Sequence, residues 1–499
     1  MAEQTVGHTA SDSPTPARRA ATGGATSIET HSIDYIPAHE RHGTVMGQAL
    51  FWFMPNFNFF SIALGFVGPS LGLSFGWSVL AGVLGMVFGS FFMGFHGSQG
   101  PHLGLPQMIQ SRAQFGYAGV VVPTGAVVVT FLVFNVLDLV VLQDGVNGLY
   151  GTNKTLVLLV GSILAAALAI FGHDWLHRIF RVLFVISVPA YLVLTIGILG
   201  GGVETSHSPA AGFTASAFMA VFAISASYNI TLAPDVSDYT RYLPENTGRA
   251  KVITAVTGGA SLSAIWLMVM GSWLATRMGA TDGLVGLHAA GNDLFGGLGS
   301  LLALLSIAGL VTVIGINSYS AVIGVATIAD SVHPLRATAR LRVTICLVLL
   351  VVWTALALVL GDNQSTLINN MLAILLYLLV PWTAVNLVDF FFVRRGHYAI
   401  SEIFDRRGIY GRWAWRGLTA YFVALAAEVP FMVLSFYKSP VSKALDGVDI
   451  AFVVGLLVAG GAYLIFARSL DLEAERVVNE QSEKELAHGF DPELPENRL

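Results

Sequence analysis

Four stretches of this 499-residue chain set polar groups among apolar residues in patterns that could do chemistry. In ALFWFMPNFNFFSIALGFVGPS, the residues Pro55, Asn56, Asn58, Ser61 and Gly65 stand among aromatics. Proline removes a helical N–H, so this run suits an interrupted helix whose freed carbonyls take a cation and whose ends take a polar solute. FTASAFMAVFAISASYNITLAPD, closing on Pro234, has the same character. Phe131 and Asn135 are spaced i, i+4 and share a helix face, with Asp138 nearly one turn farther on. A flat heterocycle could stack on that ring and bond to that amide; a core aromatic beside an interhelical amide is the plainer alternative. Asp138 is a candidate proton acceptor or gate, unless it reaches outer water. Ala308 and Thr312 are again i, i+4 neighbours, followed by Asn317. A carbonyl and a hydroxyl so placed could face one hard cation, although threonine in an apolar helix often bonds its own preceding turn.

The elements that must position these residues follow from composition. The chain is 54% hydrophobic and 11% charged, against about 25% charged in ordinary soluble proteins. Twelve membrane helices of about 22 residues would need roughly 264 residues, which the apolar content supplies. Apolar runs long enough to cross a bilayer lie at about 47–70, 73–95, 120–142, 155–172, 180–200, 213–234, 250–275, 296–328, 341–360, 366–393, 416–437 and 448–468. Turn chemistry separates them, as at Gly200-Gly201-Gly202, Gly361-Asp362-Asn363 and Ser439-Pro440. The expected class is therefore an all-α integral membrane protein with twelve spans. The two unusual stretches open the first and second groups of five spans, the pattern of inverted repeats with broken helices meeting at the midplane.

Charge sets the expected orientation. With the N-terminus in the cytoplasm, only Lys154, Arg277, Lys438 and Lys443 fall outside among the 26 Lys and Arg, which satisfies the positive-inside rule. Both termini are then cytoplasmic. Residues 1–44 lack a signal-peptide core and read as a disordered tail, and the acidic segment from Asp471 reads as a solvated tail. Residues 45–200 form the first repeat, 201–400 the second, 401–468 the last two spans with their preceding loop, and 469–499 the acidic tail. The single cysteine, Cys346, excludes a disulfide framework. No Walker loop, channel filter or metal-ligand spacing is present, which argues against an ATP-driven pump and against an enzyme. No cofactor, nucleic acid or obligate protein partner is expected. Glu428 is a second carboxylate inside a span, expected to hold a structural partner because span 11 lies outside the repeats.

Several strings carry a resemblance. GPHLGLPQMIQSRAQFG (100–116), DYTRYLP (238–244), NSYS (317–320), PWTAVNLVDFFFVRRGHY (381–398) and GIYGRW (408–413) occur in order along nearly the whole membrane body. Together they resemble the purine/cytosine permeases, the nucleobase–cation symporter-1 family. That resemblance implies a fold like that of the leucine transporter, with a five-plus-five inverted repeat and two further helices. It also implies uptake of nucleobases or related heterocycles coupled to Na⁺ or H⁺. By the same resemblance, Phe131 stacks on substrate, Asn135 and Asn317 bond to it, Tyr228 supplies the span 6 aromatic (Asn229 being the neighbouring choice), and Asn56 to Ser61 complete the pocket. Ala308 and Thr312 become ligands of a Na⁺ site.

Two departures bear on the ion and the solute. Val311 stands where sodium-coupled relatives carry a hydroxyl, which turns attention to protons and to Asp138. Val313 and Ile314 stand where cytosine-type relatives often place an asparagine. Arg112 and Arg241 are expected to pair with carboxylates such as Asp238 at an inner gate, and Asp389 with Arg394 and Arg395 to anchor span 10. The expected function is import of a nucleobase-like heterocycle across the plasma membrane by cation symport with alternating access. A non-coupled channel or nutrient sensor on the same scaffold, or a symporter for a pyrimidine-type vitamin precursor, are the alternatives.

Overall fold

A computed structural model describes residues 33–171, 173–205, 212–333, 338–360 and 364–488. The described residues are helical apart from loops and two isolated bridges, Leu73 with Gly212 and Val433 with Lys438. Among the described residues, nine helices are long and apolar enough to cross a membrane. The other three expected spans are shorter: span 1 is interrupted, span 11 is Trp415–Glu428 and span 12 is Ala451–Ala467. The turn expected at 361–363 lies outside the described residues.

The interruptions sit where local chemistry puts them. Thr44 caps Val45–Phe53 by accepting from the Gly47 amide at 3.0 Å. Pro55 cannot continue the hydrogen-bond ladder, and Asn58 restarts it by accepting from the Phe60 amide at 2.8 Å, opening Phe59–Gly65. Span 6 runs from Ala215–Ile230, pauses at Thr231 and Leu232, and resumes as Ala233–Thr240 with Pro234 in its first turn. It thus extends past the expected end at 234, because proline is tolerated at a helix start.

Burial separates an inner from an outer ring. In their most apolar windows, span 3 (Val121–Tyr150) is 78% buried and span 8 (Leu298–Val332) 67%, whereas span 9 (Ala339–Leu360) is only 22% buried. The exposed faces are apolar, as with Val185 and Ile196 of span 5 and Val351 and Val359 of span 9. A surface of that kind is stable against lipid, not water. Span 1 presses so tightly on span 7 (Arg249–Trp273) that a Cβ on Gly271 would overlap the Ile62 carbonyl, and one on Gly65 the Met268 carbonyl.

Both tails differ from expectation. Residues 33–44 are packed: the Ile36 amide donates to the Gly104 carbonyl at 2.9 Å, the His42 and Gly43 amides to the Tyr242 carbonyl, and Ile33 and Ile36 are buried. Residues 1–32 and 489–499 of the two expected tails lie outside the described residues. The acidic segment folds as Leu472–Ala487, turned 90° from span 12. Asp471 caps it, Glu473 and Glu475 lie in its first turn, where the helix dipole favours acids, and Ser482 accepts from the Ser401 amide at 3.0 Å.

Candidate functional site

The break in span 1 carries the first polar groups. The Asn56 amide donates to Asn229 Oδ1 at 2.7 Å and to the Ala260 carbonyl at 3.1 Å, tying span 1 to spans 6 and 7. Ser61 donates to the Asn56 carbonyl at 2.6 Å, and its hydroxyl lies 2.9 Å from that of Tyr228. Tyr228 stacks on Phe60 at 5.6 Å and 26°, and Phe134 approaches Tyr228 at 6.2 Å and Phe60 at 6.3 Å. Asn229 instead donates to Ser90 Oγ at 2.8 Å and to the Met86 carbonyl at 3.2 Å on span 2. Both neighbours touch span 1, but only Tyr228 joins the rings, while Asn229 links the Asn56 amide to span 2.

Span 8 gathers a second set within one turn. Asn135 donates to Ser318 Oγ at 2.9 Å, Asn317 donates to Asp138 Oδ2 at 3.2 Å, and Ser320 donates to Asp235 Oδ1. Asn135, Asp138, Asp235 and Asn317 are all at most 2% exposed. Asp138 therefore does not open to outer water. Asn56 Oδ1, Asn135 Oδ1 and Asp235 Oδ2 are buried without a donor among the described residues. Each such acceptor costs about 1–3 kcal/mol if left unpaired. A ligand rich in N–H groups would offset that cost.

Phe131 is 1% exposed but has no aromatic partner among the described residues; Phe134 occupies the ring cluster. Thr312 donates to the Ala308 carbonyl at 2.8 Å, the back-bonded state common for threonine in apolar helices. A cation there would have to recruit the hydroxyl oxygen's lone pairs and share the carbonyl. The span 1 break does come close: the Phe57 carbonyl lies 3.5 Å from where a Cβ on Gly309 would stand.

Spacing in the sequence does not find Phe134, Asp235 or the two serines. Phe134 is next to Asn135 and falls outside an i, i+4 rule. Ser318 and Ser320 lie inside the NSYS string, which was the available signal. Asp235 lies beyond the expected end of span 6, although it follows the Pro234 that restarts the helix.

A cavity of about 500 Å³ opens toward this region between the first half of span 1, span 5 (His173–Leu199) and the end of span 6, with Gln48, Arg178, Arg181 and Tyr242 on its wall. An aromatic plug closes it: Phe51 lies 4.5 Å from Tyr239, and Tyr239 5.9 Å from Tyr319, beside Ser318 and Ser320.

The strings 100–116, 238–244 and 381–398, the first of them the signature loop, form the supporting frame. Arg112 pairs with Asp330 at 2.8 Å and lies 4.1 Å over the Tyr117 ring. Its partner is thus on span 8, not Asp238, whose Oδ1 accepts from the Gln107 amide at 2.8 Å. Arg241 donates to the Asp238 and Asp34 carbonyls at 3.1 and 3.0 Å. Asp389 takes four donors: Arg394 Nη1 at 2.7 Å, Gln114 at 2.7 Å, Tyr398 at 2.7 Å and Tyr463 at 2.8 Å. Arg394 also grips Glu475 at 2.8 and 2.9 Å, whereas Arg395 takes no part. Glu428 differs from expectation, since neither carboxyl oxygen finds a partner among the described residues and the side chain fills the space beside Gly455 of span 12.

Comparison with known proteins gives this arrangement a family. Residues 35–455 match the family described as permease for cytosine/purines, uracil, thiamine and allantoin. YxlA of Bacillus subtilis (strain 168), a protein assigned as a purine-cytosine permease, is 31% identical over 88% of this chain and 96% of its own length. The purine-cytosine permease FCY2 of Saccharomyces cerevisiae is 25% identical over 49% of this chain and 47% of its own. The vitamin B6 transporter TPN1 of the same yeast is 24% identical over 60% of this chain and 55% of its own. Among solved structures, Mhp1, a nucleobase-cation-symport-1 family transporter closed on bromovinylhydantoin, superposes with a TM-score of 0.69 at 18% identity, covering 92% of this chain and 100% of that one. Its inward-facing conformation gives 0.63 with 92% and 98% covered. At that identity the likeness establishes the fold. The chain belongs to the family of permeases for cytosine/purines, uracil, thiamine and allantoin.

Proposed function

We propose that this permease is a secondary active transporter that imports a nucleobase or closely related heterocycle across the plasma membrane by cation symport. The observation that carries this reading is the buried Asn135 amide oxygen, which lacks a donor beside the ring cluster of Phe60, Phe134 and Tyr228. A flat solute with ring N–H groups supplies both what the rings stack on and what that oxygen accepts. Asn135 and Asn317 are the hydrogen-bonding pair, Phe131 and Tyr228 the aromatic walls, and Asn56 and Ser61 the span 1 edge. Both termini lie in the cytoplasm by the lysine and arginine distribution, which makes the cavity beside Arg178 the cytoplasmic exit and the Phe51–Tyr239 contact its gate. Alternating access follows from rocking one bundle against the other around the two broken spans. The names of YxlA and FCY2 support a purine or cytosine solute; that of TPN1 keeps a vitamin-type heterocycle as the second choice.

The proton is the favoured coupling ion. Asp138 is buried on Asn317 of the substrate pair, so its protonation alters the donor set that the solute meets. Val311 offers no oxygen, and the Thr312 hydroxyl is engaged with Ala308. Sodium is the second reading, favoured by the Phe57 carbonyl next to Gly309. Cation binding drives uptake only through differential affinity for two states, typically about 1–3 kcal/mol. Proteoliposomes given separate Na⁺ and H⁺ gradients and radiolabelled purines, cytosine, uracil and pyridoxine test the proposal. Accumulation above equilibrium under the H⁺ gradient supports it, accumulation only under Na⁺ selects the second ion, and mere equilibration refutes symport.

A further inference from the structure

The end of span 10, the end of span 12 and the C-terminal helix Leu472–Ala487 enclose a groove of about 680 Å³ remote from the solute site, within the range of ligand pockets. Span 10 (Gln364–Val388, continuing through Val393) and span 12 both stop here, and the chain turns 90° into the terminal helix. The groove therefore opens at a bilayer surface with its floor toward the hydrocarbon.

Its lining is divided in character. Phe392 and Leu464 are 68% and 44% exposed and continue the lipid-facing surface of their spans. Above them stand Arg395, Arg468 and Arg476, with Glu480 and Glu483 on the terminal helix, all five exposed. Arg394 and Glu475 also border the groove but are consumed by each other and by Asp389. The remaining five form no ion pair or side-chain hydrogen bond among the described residues, although Arg476 and Glu480 are i, i+4 neighbours on one helix. Opposite charges thus line one groove without neutralising each other. Arg395 is also one of two non-glycine residues with positive φ among the described residues, at 55°, a conformation that costs energy for such a side chain and is held by the fold around it.

We propose that this groove is a binding site for a phospholipid headgroup carrying a primary ammonium, of the phosphoethanolamine type. The phosphate is taken by Arg395, Arg468 and Arg476, the ammonium by Glu480 and Glu483, and the proximal acyl chain lies along Phe392 and Leu464. Arginine forks suit phosphate oxygens, and basic pockets at span ends recognise lipid headgroups. The two carboxylates make the choice of zwitterion. A purely anionic headgroup would meet them as repulsion, and a choline ammonium has no N–H to give them. Lipid bound here braces the Asp389–Arg394–Glu475 hub from outside. The proposal rests on the chain spanning a bilayer and not on what it transports.

The test is native mass spectrometry on the delipidated full-length protein in detergent, titrated with phosphatidylethanolamine, phosphatidylglycerol and phosphatidylcholine. Phosphatidylethanolamine should bind most tightly. Arg395→Gln, Arg468→Gln and Arg476→Gln should each weaken it roughly fivefold, and Glu480→Gln with Glu483→Gln should bring phosphatidylethanolamine and phosphatidylglycerol to parity or reverse them. Unchanged affinity in the arginine variants, or phosphatidylcholine binding as tightly, overturns the proposal; phosphatidylglycerol ahead in the unmodified protein overturns the ammonium assignment. A photo-crosslinking phosphatidylethanolamine on the unmodified chain needs no substitution. Label mapped to 392–397 and 464–483 supports the site, and label confined elsewhere removes it.

Discussion

Asp389→Asn is the substitution whose consequence the structure sets most closely. The native carboxylate is fully buried and receives Arg394, Tyr463, Gln114 and Tyr398, two donors on each oxygen. Asparagine keeps one acceptor oxygen, turns an N–H₂ toward the other pair and removes the charge facing a 4% exposed guanidinium. Breaking a buried ion pair from one side costs about 3–5 kcal/mol. Arg394 retains two bonds to Glu475, which places this case at the low end, about 3 kcal/mol. Gln114 still donates to the Tyr398 hydroxyl at 3.2 Å, but the Tyr398 O–H loses its acceptor on residue 389, worth about 1 kcal/mol more. Unfolding entropy of about 2.1 cal/mol/K per residue makes the shift about 1 °C per kcal/mol for a chain of this length. The expected fall in Tm is therefore about 4 °C by intrinsic tryptophan fluorescence in detergent, with Asp389→Ala lower still. Exposed Glu473→Gln is the control. A Tm within about 1 °C of that control for Asp389→Asn would refute the account of the hub as the fastening of span 10 to span 12 and the signature loop.

The other predictions concern the solute path. Asn135→Ala should lose most solute-induced thermal stabilisation while keeping its own Tm within a few degrees, and undiminished stabilisation would remove span 3 from the pocket. Asp138→Asn should abolish accumulation driven by a one-unit pH gradient, which can support up to about tenfold in the native protein at 1.36 kcal/mol per unit. Solute exchange without a gradient should persist in that variant, and unaltered proton-driven accumulation would take Asp138 out of coupling. Gly271→Ala forces span 7 away from the Ile62 carbonyl. Overpacking costs about 1–3 kcal/mol, and solute binding should suffer because the displaced backbone is that of the interrupted span; normal binding would show the two spans can separate freely.

Legibility in the sequence followed the range of the interaction. Apolar run length, proline placement and capping residues are local, so the all-helical membrane class and both helix interruptions could be read from Pro55, Asn58 and Pro234. Charge bias likewise needs no fold. The resemblance carried by the loop strings reached the family because the frame is built from those strings: Arg112, Gln114, Asp389 and Tyr398 all lie in them. What it could not supply was partner choice. Arg112 meets Asp330, a residue 218 positions away, and no spacing rule prefers that carboxylate to Asp238. Side-chain direction was equally hidden, since each residue step turns a helix face by about 100°, and that rotation decides Phe134 over Phe131 for the ring cluster and Tyr228 over Asn229 for the face toward the rings. The acidic terminal segment shows the limit from the other side. Read alone, its charges predict solvation. Glu475 reaching Arg394 and Ser482 reaching Ser401 dock it as a helix, because the desolvated guanidinium needs a second carboxylate that only the folded chain brings within reach.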